Sequence, residues 1–319
     1  MSPSHIHEDQ GSGIGDQGSG AEDKRPGTRN QEPGTGDSLP SLPWLEVVNP
    51  SVRLGQVRHA LFDFDGTVSV IRRGWEGVMV PLMVEMICDG HTPTPEIVAE
   101  VAEYVDRSTG ILTIKQMQWL AEAVRRYGLA RAPRTACEYK RIYNERLLRP
   151  VRQRLSQMDG SLAARDALMI AGARAFLQGL RDRSVTLYLA SGTDHAYVLE
   201  EVAALGVTEL FGHHVYGAQD DTKSCTKKRI IQRILDEHNL RGEELLVVGD
   251  GPVEIRHAKA RGAVALGVAA DEERRQGLDP RKRQRLLKAG VDLIVTDFLH
   301  HQDLLRRLCE DSWDTNLHG

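Results

Sequence analysis

Short apolar runs that alternate with helical patterns constrain the fold of this chain more than any other feature. The runs at 57–64, 185–190 and 245–248 are almost continuously apolar, and each gives way to small or polar residues. The segment 171–181 between two of them repeats its apolar residues at helical spacing. Strands that are apolar along their whole length and alternate with helices are typical of a parallel sheet covered on both faces. The sequence therefore predicts an α/β fold.

Further runs and helices extend this pattern to the end of the chain. The apolar segments 263–268 and 292–295 are candidate strands, with another possible at 213–216. Additional helices are expected over 196–205, 227–240, 253–261 and 280–289.

The composition divides the chain into three parts. Residues 1–42 are rich in Gly, Ser, Pro and acidic residues and nearly lack large apolar side chains, which favours a disordered tail. Residues 71–170 separate the first two strands and carry helical patterns, one of them beginning at Thr94-Pro95. A crossover needs only one helix, so this insert is large enough to form an all-helical cap domain. The sheet core would comprise 43–70 and 171–319.

Two acidic residues follow the first predicted strand. Asp63 and Asp65 are two positions apart, a spacing that places both side chains on one face of an extended chain. Neighbouring carboxylates repel each other unless a cation or a shared proton relieves them, and Gly66 lets the chain turn closely past what they hold. The structural alternative is an Asx turn at the end of a strand.

The other predicted strand ends carry matching polar groups. Ser191 and Gly192 follow the second strand and supply a hydroxyl and an unhindered N–H near a helix N-terminus, where anions bind. Asp250 follows the third, Glu254 begins the next helix, and Lys227 begins the helix before it. Ligands bind beyond the carboxyl ends of parallel strands, and these groups are the parts of a Mg²⁺–phosphate site.

The motifs DFDGT at 63–67, SGT at 191–193, a lysine at a helix start and VVGDGPVE at 247–254 resemble the four ordered motifs of the haloacid dehalogenase superfamily. The resemblance covers roughly 57–298 and includes the gap for a helical cap after the first motif. It implies a Rossmann-like core, a Mg²⁺ cofactor and a phosphatase that forms an aspartyl-phosphate.

The resemblance also implies roles for individual residues. Asp63 would be the nucleophile and Asp65 the general acid and base. Mg²⁺ would be held by the Asp63 carboxylate, the Asp65 carbonyl and Asp250, with Glu254 acting through water. The transferring phosphoryl group would be bound by Ser191, Gly192 and Lys227.

The phosphate-site lysine has an alternative. Lys227 precedes two isoleucines at +3 and +4, so a helix that begins there has an apolar face. Lys223 lies four residues earlier and is the second candidate.

The substrate is expected to be a small phosphorylated metabolite. The acid two residues after the nucleophile distinguishes the phosphatases and phosphomutases of the superfamily from its dehalogenases, and Thr67 favours hydrolysis. A sugar phosphomutase and a non-catalytic binding module of the same fold remain alternatives. Specificity candidates follow the nucleophile closely, where the chain would enter the cap: Arg72, Arg73, Trp75 and Glu76.

Composition argues against several other classes of protein. The net charge is −4, which gives no overall basic surface for nucleic acid. No run approaches 18 apolar residues, so a membrane span is not expected. The amino terminus lacks the pattern of a secretion signal, and the four widely spaced cysteines fit reduced thiols, so we expect a cytoplasmic protein. The acidic 271–273 and the basic stretch 274–285 are expected to be solvent-exposed surface.

Overall fold

A computed structural model describes residues 42, 44–219 and 226–310 of the chain. The tail predicted at 1–42 lies outside these residues apart from Leu42, and so does the alternative lysine, Lys223.

A seven-stranded sheet forms the centre of the described chain. Its strand order is β1-β7-β6-β5-β2-β3-β4, and every pairing is parallel except that of β1 with β7 at one edge. The predicted α/β fold with a parallel sheet is confirmed. The antiparallel strand β1 was not expected. The strands are β1 Leu45–Val47, β2 His59–Phe62, β3 Thr186–Asp194, β4 Val215–Ala218, β5 Leu245–Gly249, β6 Val264–Val268 and β7 Leu293–Val295.

Buried side chains on both faces explain why the strands are apolar throughout. In β2, Ala60 and Phe62 face one hydrophobic core, whereas Leu61 faces the other. In β5, Val248 joins the first core and Val247 the second. Both strands therefore contribute to two cores, because successive side chains point to opposite faces.

Helices cover each face of the sheet. The first core is covered by α6 Ala173–Asp182, α7 His195–Leu205, the short α8 Thr208–Phe211 and α12 His301–Cys309. The second is covered by α9 Lys227–Glu237, α10 Pro252–Lys259 and α11 Pro280–Ala289. A 3-10 turn at Gly242–Glu244 leads into β5.

Six helices lie between β2 and β3; the last, α6, covers the sheet, and we call the first five the helical insertion. Thr94 caps the second of these helices and Pro95 begins it, as expected from the sequence. Thr135 and Glu138 form a capping box that begins the fourth. The helices are α1 Trp75–Cys88, α2 Pro95–Arg107, α3 Thr113–Tyr127, α4 Ala136–Ser156 and α5 Leu162–Asp166.

Candidate active site

The carboxylates of Asp63 and Asp250 meet at the carboxyl edge of the sheet. Asp63 follows β2 and Asp250 follows β5, and these two strands are neighbours. The Asp63 N–H donates to the Val248 carbonyl at 2.8 Å, which continues the β2–β5 pairing into the site. Carboxylate oxygens of Asp63, Asp250 and Glu254 all lie within 4.8 Å of one another. Residues separated by almost 190 positions thus share one buried cluster.

Lys227 lies between two of these carboxylates. Its Nζ is 2.8 Å from Asp63 Oδ1 and 2.9 Å from Glu254 Oε2, and the side chain is buried. Burial opposes the charge of the lysine, but the two carboxylates prevail and raise its pKa. Burial is the main reason why the pKa of Asp63 is raised well above its usual value. The positive charge of Lys227 lowers this pKa, whereas the carboxylates of Glu254 and Asp250 raise it further.

Asp65 is oriented by two hydroxyl groups from the end of β3. Its Oδ2 accepts hydrogen bonds from Ser191 Oγ and Thr193 Oγ1, both at 3.1 Å. Its Oδ1 is buried and, within the described chain, makes no hydrogen bond. Arg72 Nε lies 3.9 Å from that oxygen. Thr193 was missed by the sequence analysis because the serine was taken as the functional group of its motif.

Two glycines allow close approach at the site. Gly66 has a φ of +74°, and a Cβ there would overlap Asp250 Oδ2. A Cβ on Gly192 would overlap the carbonyl oxygen of Ile111 in the helical insertion. Gly66 therefore lets the chain turn beside a site carboxylate, and Gly192 lets the insertion pack onto the end of β3.

Lys282 is a site residue that the sequence analysis missed. Its Nζ is 2.7 Å from Asp250 Oδ2 and 2.8 Å from Glu272 Oε1, and it donates to the Gly66 carbonyl at 3.3 Å. These carboxylates outweigh burial and raise the pKa of Lys282, while Lys282 outweighs burial at Asp250 and lowers the pKa of that group.

The expectation that 271–273 and 274–285 are wholly solvent-exposed was therefore wrong. Lys282 is only 4% exposed, and burial raises the pKa of Glu272. A signal was present, since Lys282 precedes the buried Leu286 and Ala289 by four and seven positions and so shares their helix face. Because several arginines surround Lys282 in the sequence, the whole segment was interpreted as solvent-exposed.

The four specificity candidates divide into two pairs. Arg72 and Trp75 line a cavity beside Asp65. Arg73 and Glu76 do not line it. Arg73 turns outward to an ion pair with the exposed Glu273, and Glu76 accepts a hydrogen bond from Arg285 of α11 at 3.1 Å. Arg72 and Arg73 lie in the turn before α1, and Trp75 and Glu76 begin the helix, so the four side chains point in different directions and nearness in sequence could not place them all at one cavity.

The cavity has a volume of about 70 Å³ and lies between the sheet edge and the helical insertion. Both parts of the chain therefore contribute its wall. From the sheet side it is lined by Asp63, Asp65, Gly192, Thr193 and Asp250, and from the insertion and the segment leading into it by Arg72, Trp75, Thr109, Gly110, Ile111, Thr113, Gln116, Tyr143 and Leu147.

The loop that joins α2 to α3 reaches the buried carboxylates. A Cβ on Gly110 would lie 2.6 Å from Glu254 Oε2 and 3.4 Å from Lys227 Nζ. Arg285 holds the loop through a hydrogen bond from Nη1 to Thr109 Oγ1 at 2.9 Å. The insertion is thus in direct contact with the charged groups of the sheet edge.

The donor set suits a hard divalent cation. Asp63, Asp250, Glu254 and Glu272 bring four carboxylates, against the two ammonium groups of Lys227 and Lys282. Their formal sum is −2, and the pKa of Asp63 is raised first by burial and further by the neighbouring carboxylates of Glu254 and Asp250. Mg²⁺ prefers oxygen ligands and would balance the sum.

None of the helices in the described part of the chain has the length and apolar character needed to cross a membrane.

Comparison with known proteins places the chain in a family. The model of a family described as haloacid dehalogenase-like hydrolase matches residues 57–262. A solved structure of a predicted phosphatase from Clostridium acetobutylicum is 15% identical, covers 78% of this chain and 99% of that chain, and gives a TM-score of 0.50. A predicted phosphoglycolate phosphatase from Haemophilus somnus 129PT is 14% identical, with coverages of 78% and 98% and a TM-score of 0.52. These two similarities show the fold alone. Comparison with curated proteins found no match.

Proposed function

The chain belongs to the haloacid dehalogenase-like hydrolase family, and on this premise we propose that it hydrolyses a small phosphate monoester. The observation that carries the proposal is the buried cluster of Asp63, Asp250, Glu254 and Lys227, with Asp65 held beside it by two hydroxyl groups. A nucleophile, an acid and base, and compensating charges therefore lie around one cavity.

Asp63 is the nucleophile in this proposal. One of its oxygens attacks phosphorus, the bond from phosphorus to the leaving oxygen breaks, and an aspartyl-phosphate forms. Lys227 at 2.8 Å favours the ionised carboxylate that the attack needs. A water then attacks the phosphorus, the bond from phosphorus to the Asp63 oxygen breaks, and phosphate leaves as the carboxylate is restored.

Asp65 transfers the protons. It gives a proton to the leaving oxygen in the first step and accepts one from the attacking water in the second. In this structure the hydroxyls of Ser191 and Thr193 position the carboxyl group, and the Thr193 contact remains when the Ser191 hydroxyl turns to phosphate. A group that must act twice benefits from a neighbour that is retained in both steps, because its geometry then survives the release of the alcohol.

Ser191, Gly192 and Lys227 bind the phosphoryl oxygens in this proposal. The Ser191 hydroxyl donates to Asp65 in the present structure, so binding phosphate requires it to redirect its proton. Lys227 brings a positive charge to the cluster. In phosphoryl transfer the protein acts mainly by stabilising the negative charge that is spread over the phosphoryl oxygens.

Asp63, Asp250 and the Asp65 carbonyl would hold Mg²⁺, and Glu254 would support it through water. When bound, the ion would neutralise charge on the phosphoryl group and orient it. Glu254 suits the indirect role because its Oε1 accepts from the Gly251 N–H at 2.8 Å and its Oε2 faces Lys227.

We also propose that residues 71–170 act as a cap on a core formed by 43–70 and 171–319. The contact of Gly110 and Ile111 with the site supports this role. A cap that closes over the aspartyl-phosphate would control the access of water to it.

The decisive experiment is an assay with a panel of phosphate esters, in the presence of Mg²⁺ and then of EDTA. We expect release of phosphate that EDTA abolishes. Appearance of an isomerised sugar phosphate in place of free phosphate would identify a phosphomutase instead. No turnover of any ester by the folded protein would favour the non-catalytic alternative.

Replacing the nucleophile gives a sharper test. Asp63→Asn keeps the size of the side chain but removes the attacking charge, so we expect turnover to fall by at least about 10³-fold. The exposed Asp236→Asn on α9 is the control and should retain activity. Wild-type activity in Asp63→Asn would refute the assignment.

A further inference from the structure

The wall of the cavity beyond Asp65 determines which alcohol can leave. With the phosphoryl group over Asp63 and the leaving oxygen at Asp65, the rest of the ester must extend toward the remaining lining residues. The residues that line the cavity from the helical insertion and the segment leading into it include Arg72, Trp75, Gln116, Tyr143 and Leu147. The charge and hydrogen-bonding capacity of this wall therefore bear directly on specificity.

Arg72 is the only cationic side chain among the described residues that line the cavity. Its charge is already matched within the protein. Nε and Nη2 lie 3.0 and 2.6 Å from Oε1 of Glu201, and Nε lies 3.2 Å from Oε2. Arg72 is 5% exposed and Glu201 only 2%. A buried pair held by three contacts behaves as a neutral unit.

An anionic leaving group would find no free positive charge on this wall. It would bring a further negative charge close to Asp65 and Glu201 in a partly dry cavity, where like charges repel strongly. Binding energy would be lost twice, through the lost hydration of the anion and through this repulsion.

Neutral hydroxyl groups, by contrast, find partners on this wall. The hydroxyl of Tyr143 and the amide of Gln116 both line the cavity, and the bonds of Arg72 to Glu201 use only its Nε and Nη2. The cavity of about 70 Å³ is also roughly half the ~150 Å³ that holds a benzene molecule. The space beside Asp65 thus suits an alcohol of few atoms.

Building on the proposed phosphatase function, we propose that the neutral Arg72–Glu201 pair selects esters of small, uncharged, hydroxyl-bearing alcohols and rejects leaving groups that carry a carboxylate. Arg72 contacts the leaving group. Glu201, on α7 behind the wall, is the positioning residue that cancels the charge of Arg72.

Glycerol 3-phosphate and 3-phosphoglycerate form a matched pair of test substrates. At the end away from the phosphate, the first carries a CH₂OH group and the second a carboxylate. We expect kcat/KM of the wild-type protein to favour glycerol 3-phosphate by at least about 10-fold. An equal or reversed preference would overturn the proposal. So would a result in which the protein hydrolyses p-nitrophenyl phosphate but neither glycerol 3-phosphate nor 3-phosphoglycerate. No turnover of any ester would overturn the proposed function itself, and this selection with it.

Glu201→Gln separates charge from structure. Glutamine keeps the shape and one oxygen acceptor for Arg72 but removes the negative charge, so the ratio of the two kcat/KM values should shift toward 3-phosphoglycerate by at least about 10-fold. A merely structural role would lower both values together and leave the ratio unchanged, which would contradict the proposal. The control is Glu200→Gln at the exposed neighbouring position, where no shift is expected. If Glu201→Gln does not fold, the ratio of the two kcat/KM values in the wild-type protein still tests the proposal.

Discussion

At the scale of single residues, each buried carboxylate of the site depends on a lysine from another part of the chain. Lys227 neutralises Asp63 from the start of α9, and Lys282 neutralises Asp250 from α11. Both lysines are almost fully buried. Taking such charges out of water is costly, so each ammonium is held in place by the carboxylates that it faces.

Lys282→Met tests this dependence. The change keeps the length and helix propensity of the side chain but leaves Asp250 and Glu272 without their cation, so we expect the free energy of unfolding to fall by about 3 kcal/mol. Urea denaturation in the absence of divalent metal measures it. The exposed Lys288→Met on the same helix should change stability by less than about 0.5 kcal/mol. Equal effects of the two changes would show that the buried pair contributes nothing.

At the scale of elements, the loop between α2 and α3 joins the helical insertion to the carboxyl edge of the sheet. Its backbone passes so close to Glu254 and Lys227 that position 110 has no room for a side chain. Arg285 ties the same loop to α11 through Thr109, and its guanidinium also lies 3.1 Å from Glu76 of α1. One core residue thus holds two parts of the insertion.

Gly110→Ala tests whether this close approach matters for activity. The added Cβ meets Glu254 Oε2, so we expect kcat/KM to fall by at least about 10-fold, because misplaced site groups slow catalysis. Gly128→Ala is a matched control. Gly128 also has a positive φ, +64° against +90°, but a Cβ there meets nothing within 4 Å. Gly128→Ala should lose about 1 kcal/mol of stability from backbone strain, Gly110→Ala should lose more because of the overlap with Glu254, and only Gly110→Ala should lose activity. Full activity in Gly110→Ala would remove the loop from the site.

At the scale of the whole molecule, the end of the sheet opposite the site carries a cluster of aromatic and imidazole rings. Tyr188 Oη lies 3.2 Å from His59 Nδ1 and 2.9 Å from His238 Nε2, and His214 packs against the same tyrosine ring. Burial, together with the neighbouring His238, lowers the pKa of His59 to about 4. The folded protein therefore resists protonation at this position.

The stability of the whole protein should consequently depend on pH through His59. A lowered pKa means that the unfolded chain binds the proton more readily, so stability is fully present above pH 6.5 and is lost as the pH falls toward 4. Because the side chain is only half-buried, we expect a loss of about 1 kcal/mol rather than the full value of the shift. His59→Gln should flatten the profile of unfolding free energy over this range. The exposed His91→Gln should leave it unchanged, and a profile equally steep in His59→Gln would contradict the assignment.

Local sequence determined the elements of this protein and the polar residues at the ends of its strands. Apolar runs and helical spacing depend on neighbours a few positions apart, so the parallel sheet and the helix at Thr94-Pro95 could be predicted. Helix α1 was missed because its residues are apolar almost throughout and include Pro81, so it has no clear polar face.

Only the tertiary structure decided which charged residues enter the site. Arg72 and Glu201 are 129 positions apart, and Lys282 lies 216 positions from Gly66. Helical spacing placed Lys282 on the apolar face of α11, but nothing local to Lys282 or Glu272 identified the charge that each of them meets. A charge becomes buried when packing places a compensating charge within a few ångströms, and that pairing is a property of the folded chain as a whole.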